Sequence, residues 1–211
     1  MPTVVSPLEE RVVLRHVSWE TYERLLEDHL DRSSPRFTYD HGVLEIRSPI
    51  ARHEWFSELV SDLVKLLART LRIDILSLRS TTFRRRDRER GFEPDCCFYV
   101  THIGQVRGKE RIDLATDPPP DIVVEVVVTH SLLDKFAIYS ALGIPEVWSY
   151  DGNRLRMYRL KAAKYLERPA SGALPELAAK QLTEFLELGK TLDSVAWPDE
   201  VLKRFRRPKG H

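Results

Sequence analysis

The stretch from Pro118 to Trp148 constrains this chain most. Pro118-Pro119-Pro120 stops whatever precedes it, and Ile122 to Val128 is then apolar on both parities apart from Glu125. A β-branched run without alternation predicts a strand buried on both faces, central in a sheet. A carboxylate in the middle of such a strand must be paired, protonated or bound to a cation. The helix that follows holds a second anomaly. At 100° per residue Leu132, Phe136, Tyr139 and Leu142 form one apolar stripe, and Lys135 falls between Tyr139 and Leu142 on it. Lys135 is therefore expected to point at the sheet and Asp134 at water. A buried structural ion pair and a functional site both satisfy this pattern, since each perturbs its charged groups in the same way.

At 211 residues the chain fits one domain. We divide it into an N-terminal helix and hairpin extension (1–50), a core (51–168) and a C-terminal helical tail (169–211). Its 42% apolar and 31% charged composition is that of a soluble globular protein. The formal net charge of +1 excludes a strongly basic nucleic-acid coat but leaves room for a local basic groove. Cys96 and Cys97 are adjacent, which argues against a disulfide framework and for a reducing, cytoplasmic location. Met1 to Pro7 has no charged region ahead of an apolar one, so no secretory signal is expected. No apolar run approaches the ~20 residues of a membrane span.

Taken in order, Val12 to His16 is a short strand, and Ser18 caps a helix from Trp19 to Leu26. Arg36 to Tyr39 and Val43 to Arg47 flank Asp40-His41-Gly42, a hairpin turn. A long amphipathic helix spans about Arg52 to Leu71. His53 lies on the edge of its apolar stripe, with Glu54 and Glu58 on the polar side. Ile73 to Phe83 reads as one strand. Arg84 to Gly91 is a turn with five arginines, of which Arg84, Arg85 and Arg86 are candidates for phosphate contacts. A solvated hairpin tip would look the same. Cys96 to Val100 is the next strand, with Asp95 on the face of Cys97 and Tyr99. Thr101 to Asp117 is a polar connection. After the organising strand and helix come a strand at Pro145 to Tyr150, a turn at Asp151-Gly152-Asn153, a returning strand from Leu155 to Leu160, an edge at Lys164 to Arg168, helices near Leu182 to Leu188 and Glu200 to Phe205, and a basic tail with Arg207 and Lys209. The order predicts an α/β fold, a mixed sheet with helices on both faces and an antiparallel N-terminal hairpin layer.

Asp95 and Glu125 lie on strands separated only by a loop, so these strands can be sheet neighbours. Two close carboxylates cannot both stay ionised cheaply in a dry site. A divalent cation removes that cost, and hard oxygen ligands favour Mg²⁺ or Mn²⁺. With Lys135 beside the metal, the set suits phosphodiester hydrolysis.

These residues resemble the PD-(D/E)XK nuclease superfamily in their αβββαβ order, with an Asp on the second strand and a Glu on the third. More closely, Glu93-Pro94-Asp95, Pro120-Asp121-Ile122-Val123-Val124-Glu125-Val126, Asp134-Lys135, Tyr139, Gly143 and Glu146-Val147-Trp148 resemble the Uma-two family of restriction endonuclease-like proteins. The hairpin Tyr39 to Pro49 and His53 fit as well, and the similarity covers roughly residues 17 to 160. The resemblance implies a restriction-endonuclease-like core with an N-terminal β-hairpin extension, and a Mg²⁺-dependent endonuclease acting on DNA. It implies Asp95 and Glu125 as catalytic metal ligands, the Val126 carbonyl as a third ligand, Lys135 as the catalytic lysine moved from strand to helix, and His53 lining the site. Val127 stands at the superfamily's lysine position, and Thr38 where the family often has Glu, so Glu45 or Glu54 would have to compensate. Asp121 sits at the start of Glu125's own strand and is set aside as a ligand. Trp19, Trp55 and Trp197 exceed what a small core readily takes, which predicts a homodimer. The competing readings are a lapsed nuclease fold that binds nucleic acid or a protein, and a structural homodimer whose ion cluster only fixes the fold.

Overall fold

The computed structural model describes residues 10–29, 32, 34–127 and 133–206. Val128 and Leu132 of the organising stretch, and Arg207 and Lys209 of the basic tail, lie outside the described residues.

The elements follow the order β1 (Glu10–Leu14), α1 (Trp19–Glu27), β2 (Arg36–Asp40), β3 (Val43–Ser48), α2 (Ala51–Leu71), β4 (Leu76–Ser77), β5 (Phe83–Arg85), β6 (Arg90–Phe92), β7 (Cys96–Tyr99), α3 (Ile103–Val106), β8 (Ile122–Val126), α4 (Lys135–Ala141), β9 (Glu146–Tyr150), β10 (Leu155–Lys161), β11 (Lys164–Arg168), α5 (Ala179–Gly189) and α6 (Ala196–Phe205). They build two sheets. The first is antiparallel, in the order β1-β3-β2-β6-β5. The second runs β11-β10-β9-β8-β7-β4 and is mixed, because β8 and β9 pair in parallel. The expected α/β architecture is present.

The hydrophobic pattern explains the layers. All five residues of β8 are buried, as expected of a central strand. Ile122, Val124 and Val126 face α2, α5 and α6, packing with Phe56, Val60, Leu182 and Trp197. Val123 faces the other way, with Cys97, Tyr99 and the α4 residues Ile138, Tyr139 and Leu142. Phe83 and Phe92 of the first sheet join that second cluster and couple the sheets. The outer face of the first sheet is covered by α1 through Trp19, Tyr22 and Leu26 against Phe37, Tyr39 and Leu44. Ser18 caps α1, its Oγ accepting from the Thr21 amide at 3.1 Å. At Gly91 a Cβ would meet the Tyr22 hydroxyl at 2.2 Å, so this strand tolerates no side chain beneath α1. The β2–β3 turn uses His41 and Gly42, both at positive φ, the geometry of a tight two-residue hairpin.

Four expectations need correction. Ile73 to Phe83 is not one strand: Arg79 takes a left-handed conformation, and the chain passes from β4 in the second sheet to β5 in the first. The connection from Thr101 to Asp117 is not simply polar, since it contains α3 and buries Ile103, Val106, Ile112 and Leu114. The inward stripe of α4 is Lys135, Ile138, Tyr139 and Leu142; Phe136 is 37% exposed and packs sideways on Tyr158 and Tyr165. The helix starts at Lys135 because Asp134 caps it, accepting from the Ala137 amide at 3.2 Å, and this sets the phase. Lastly, Trp19 and Trp197 are buried in their own chain, and only Trp55 is exposed, at 47%. The tryptophan count therefore no longer argues for a homodimer.

Candidate active site

The strand carrying Asp95 and the strand carrying Glu125 are neighbours. β7 pairs β8 antiparallel, with Cys96 opposite Val124. Extending that register by one residue sets Asp95 across from Glu125. The two carboxylates nonetheless serve different partners.

Glu125 turns toward α4. Tyr139 Oη donates to its Oε1, and Lys135 Nζ donates to its Oε2 at 2.5 Å. The spacing of four residues puts Lys135 and Tyr139 on one helical face, one turn apart, so a single helix delivers both donors. The Lys135 side chain is 15% exposed and does point at Glu125. Burial, with the Glu125 charge beside it, pushes the Tyr139 hydroxyl well above the ordinary tyrosine range, so it stays a proton donor. This pair lines a cavity of about 300 Å³, whose wall also includes Arg11, Arg47, Val127, Tyr158 and Asp134.

Asp95 turns toward the first sheet, and its side chain is 0% exposed. Its Oδ1 accepts from Arg36 Nη1 and from Arg47 Nη2, the latter at 2.6 Å. Its Oδ2 accepts from the Val126 amide at 2.7 Å and lies 3.1 Å from His53 Nε2. Burial alone would raise the Asp95 pKa. Arg47, His53 and Arg36 outweigh it and hold the carboxyl well below the usual carboxylate range. His53, expected to line the site, is fully buried; its Nε2 lies 2.9 Å from the Val126 carbonyl. A carbonyl only accepts, so the ring proton is on Nε2. Nδ1 is buried with no hydrogen-bond partner among the described residues. Arg47 Nη1 also lies 2.9 Å from Nε2, a contact between two donors in that tautomer.

Glu54, whose helical phase points outward, is 45% exposed, yet it reaches Arg36 Nη2 at 2.6 Å and ties that arginine from the solvent side. Glu45 is buried and accepts from Arg11 at 3.1 Å. Thr38 is buried opposite Glu45. Asp121 is a structural group, accepting from the Val100 and Thr101 amides at 2.7 and 2.9 Å. The arginine turn stands apart. Arg84 faces Glu23, Arg85 faces Asp87, Arg86 faces Glu20 and Glu23, Arg88 faces Asp87, and Arg90 faces Asp40. None of these five arginines lines the Glu125 cavity.

Sequence reasoning did not anticipate Arg11, Arg36 and Arg47. They form one row across three strands, with Arg11 opposite Arg47 and Arg47 opposite Arg36. Like charges directly opposite on a sheet repel. The row persists because Glu45, Asp95 and Glu54 each face a member of it.

The oxygens of Asp95, Glu125 and the Val126 carbonyl have the right chemistry for Mg²⁺ or Mn²⁺. The residues as they stand do not fit the ion. A carboxylate has about four lone-pair sites, and those of Asp95 are met by two guanidinium groups, one amide and His53. The Val126 carbonyl is engaged by His53, and Glu125 by Lys135 and Tyr139. Among the described residues no group of three or more His, Cys, Asp or Glu is arranged to hold a metal.

Comparison with known proteins gives the following. The family model Uma2, described as "Putative restriction endonuclease", matches residues 19–193. No curated protein matches the chain. A crystal structure from Anabaena variabilis ATCC 29413, described as "a putative nuclease belonging to DUF820", is similar with a TM-score of 0.51. Its sequence is 16% identical, and the match covers 76% of this chain and 98% of that one. At that identity the likeness shows the fold. No helix among the described residues is long and apolar enough to cross a membrane.

Proposed function

Because the chain belongs to the Uma2 family, we propose that it is an endonuclease acting on DNA, with a backbone phosphodiester received in the cavity beside Glu125. One observation carries this reading. Lys135 Nζ reaches Glu125 Oε2 at 2.5 Å from the next helix, so Val127 at the superfamily's lysine position does not leave the site without its lysine.

The chemistry follows from charge. A phosphodiester is anionic, and Arg11, Arg47 and Lys135 offer it three cations on one cavity wall. Charge that grows on the phosphoryl oxygens during attack strengthens those contacts, which is the kind of interaction that accelerates reaction. Glu125 is a carboxylate base on the cavity wall. Its oxygens hold Lys135 and the Tyr139 hydroxyl, and their remaining lone pairs can take the proton of a water whose oxygen bonds to phosphorus as the P–O bond to the leaving sugar breaks, that oxygen taking its proton from Lys135 or from solvent. A divalent cation finds Asp95 and the Val126 carbonyl already engaged, so the steps above run on the chain's own side chains.

The test uses purified protein on supercoiled, linear and single-stranded DNA, with Mg²⁺, with Mn²⁺ and with chelator. Weak cleavage is expected, lost in Glu125→Gln and in Lys135→Met. Cleavage that is equal in Glu125→Gln belongs to another site or another protein. A second reading, a nuclease fold that binds DNA without cutting it, is favoured by the clamp on Asp95. DNA binding without cleavage in every condition would select it. The two buried free thiols suit a reducing, cytoplasmic setting. A homodimer would draw on an exposed aromatic such as Trp55, and light scattering on wild type and Trp55→Ser reads that directly.

A further inference from the structure

We infer that Arg36 and Arg47 fill the cation position at Asp95, so that the site takes up a divalent metal only when an arginine is removed. The three expected ligands are close to one another in the fold, yet each is already engaged by donors from within the chain, Asp95 the most fully. On the Asp95 side the donors are fixed from two directions. Arg47 comes from β3 and donates to Oδ1 at 2.6 Å; Arg36 comes from β2, donates to the same oxygen, and is held from behind by Glu54 at 2.6 Å. Both arginines are buried. A metal bound at Asp95 would have to displace them, leaving buried guanidinium groups without their carboxylate.

The layout of the cavity points the same way. Glu125, Val126, Lys135 and Arg47 line it, whereas Asp95, Arg36 and His53 do not. An ion entering by the cavity meets Arg47 before it can meet Asp95. Charge makes the same case. The acids Glu54, Asp95 and Glu125 face Arg36, Arg47 and Lys135, one cation for each acid. A pair of carboxylates with a single lysine has an excess negative charge that a divalent ion neutralises. Here the guanidinium groups supply that neutralisation, and two further positive charges would be added to a site that is already balanced.

The arginine row explains how the substitution is built. The two-residue turn at His41 and Gly42 sets Arg36 directly opposite Arg47, and both reach the same Asp95 oxygen. One carboxylate between two guanidinium groups offsets the repulsion along the row. Asp95 is thus a structural counterion for the hairpin, and of the two expected carboxylate ligands it is Glu125 that faces the cavity.

The probe is Mn²⁺ alone, with occupancy read from the loss of the free-ion electron paramagnetic resonance signal, so the result does not depend on whether DNA is cut. Wild type, Arg47→Met, Arg36→Met and Arg47→Met/Asp95→Asn are compared, each checked for folding by circular dichroism. Wild type is expected to leave Mn²⁺ free. Arg47→Met is expected to bind it at least about tenfold more tightly, and Asp95→Asn in that background should abolish the gain. Arg36→Met gives the same comparison should Arg47→Met fail to fold. Tight Mn²⁺ binding by wild type overturns the inference, whatever the variants do. So does a folded arginine variant that binds no better than wild type. Loss of DNA cleavage or DNA binding in wild type bears on the proposed function and leaves this result untouched.

Discussion

Replacing Lys135 by Met removes the ammonium group and keeps most of the stem. The Glu125 side chain then keeps the Tyr139 hydroxyl at Oε1, and among the described residues its Oε2 faces only the cavity. Breaking a fully buried ion pair costs ~3–5 kcal/mol, because one charge stays buried and unpaired. Lys135 is 15% exposed and the cavity admits water, so we set the cost nearer to ~2 kcal/mol. Glu125→Gln is milder: Lys135 can turn into the cavity, and Tyr139 can still donate to the amide oxygen, for ~1 kcal/mol. The double variant has lost both charges and should not suffer both penalties. A coupling of ~1–2 kcal/mol is expected from the cycle, within the range measured for contacting residues. Urea unfolding followed by far-ultraviolet circular dichroism gives all four stabilities, with equal slopes confirming that the cycle compares like with like. In the cleavage assay Lys135→Met should lose ~10²–10³ in rate, the scale of removing one preorganised charge-stabilising donor. A coupling below ~0.5 kcal/mol would refute the reasoning, because residues that do not touch add to within that margin. Lys135 would then face solvent, and the helix phase described above would be wrong.

Glu146 is buried under the β9–β10 end of the second sheet, accepting from Trp148 Nε1 at 2.5 Å and the Gly172 amide at 2.6 Å; Glu146→Leu leaves both donors stranded and should cost ~2–4 kcal/mol in denaturant unfolding, without moving Glu125. Burial pushes the Cys97 thiol up to about 12 and raises Cys96 as well, so neither should react with a thiol reagent at pH 8 until the chain unfolds. The sign of the linkage follows: above ~8.5 the unfolded thiols ionise and the folded ones do not, so stability falls as pH rises, by up to ~1.4 kcal/mol per unit for each thiol, and Cys97→Ala should flatten that slope. Arg84, Arg85 and Arg86 lie off the Glu125 cavity, so changing all three to Ala should alter the salt slope of DNA binding by less than about one phosphate contact, whereas Arg11 lines the cavity and Arg11→Ala should weaken binding at every salt concentration.

The second sheet was legible because its signals are local. Ile122 to Val126 carries no polar residue except Glu125, and five buried residues in a row is what that pattern demands. The long α2 helix and the hairpin turn at Gly42 were equally plain, each resting on a repeat or a residue type with one meaning. On α4 the inward positions of Lys135, Tyr139 and Leu142 were legible, and the error was to count Phe136 in the same stripe and to leave Ile138 out. Asp134 was the usable sign, since a cap at 134 makes Lys135 the first helical residue and puts Ile138 inward beside Tyr139. The split of Ile73 to Phe83 was hidden, because a strand that changes sheet keeps strand-like composition on both sides of the turn. The partners of Asp95 were missed for another reason. Arg36 and Arg47 are arginines on short strands, which reads as solvent exposure unless the register is worked through. The turn at His41 and Gly42 did fix that register, but the approach of Asp95 from the second sheet is a contact 48 or more residues away in the chain, and no periodicity reports it.

Asp95 also joins the halves of the molecule. It begins the β7 side of the second sheet, and its cationic partners come from β2 and β3 of the first. Apolar contact between the sheets, through Phe83 and Phe92, lies at the other strands of the first sheet, β5 and β6. The hairpin end is thus fastened by a charged rivet and the opposite end by oily surface. The two fastenings respond to different conditions. Salting-out ions tighten the oily seam and cooling weakens it, whereas the rivet, buried on both sides, is little screened by salt and little changed by cooling. In hydrogen-exchange terms Asp95→Asn, which removes the charge between the two arginines, should lower the protection of the β2 and β3 amides more than that of β5.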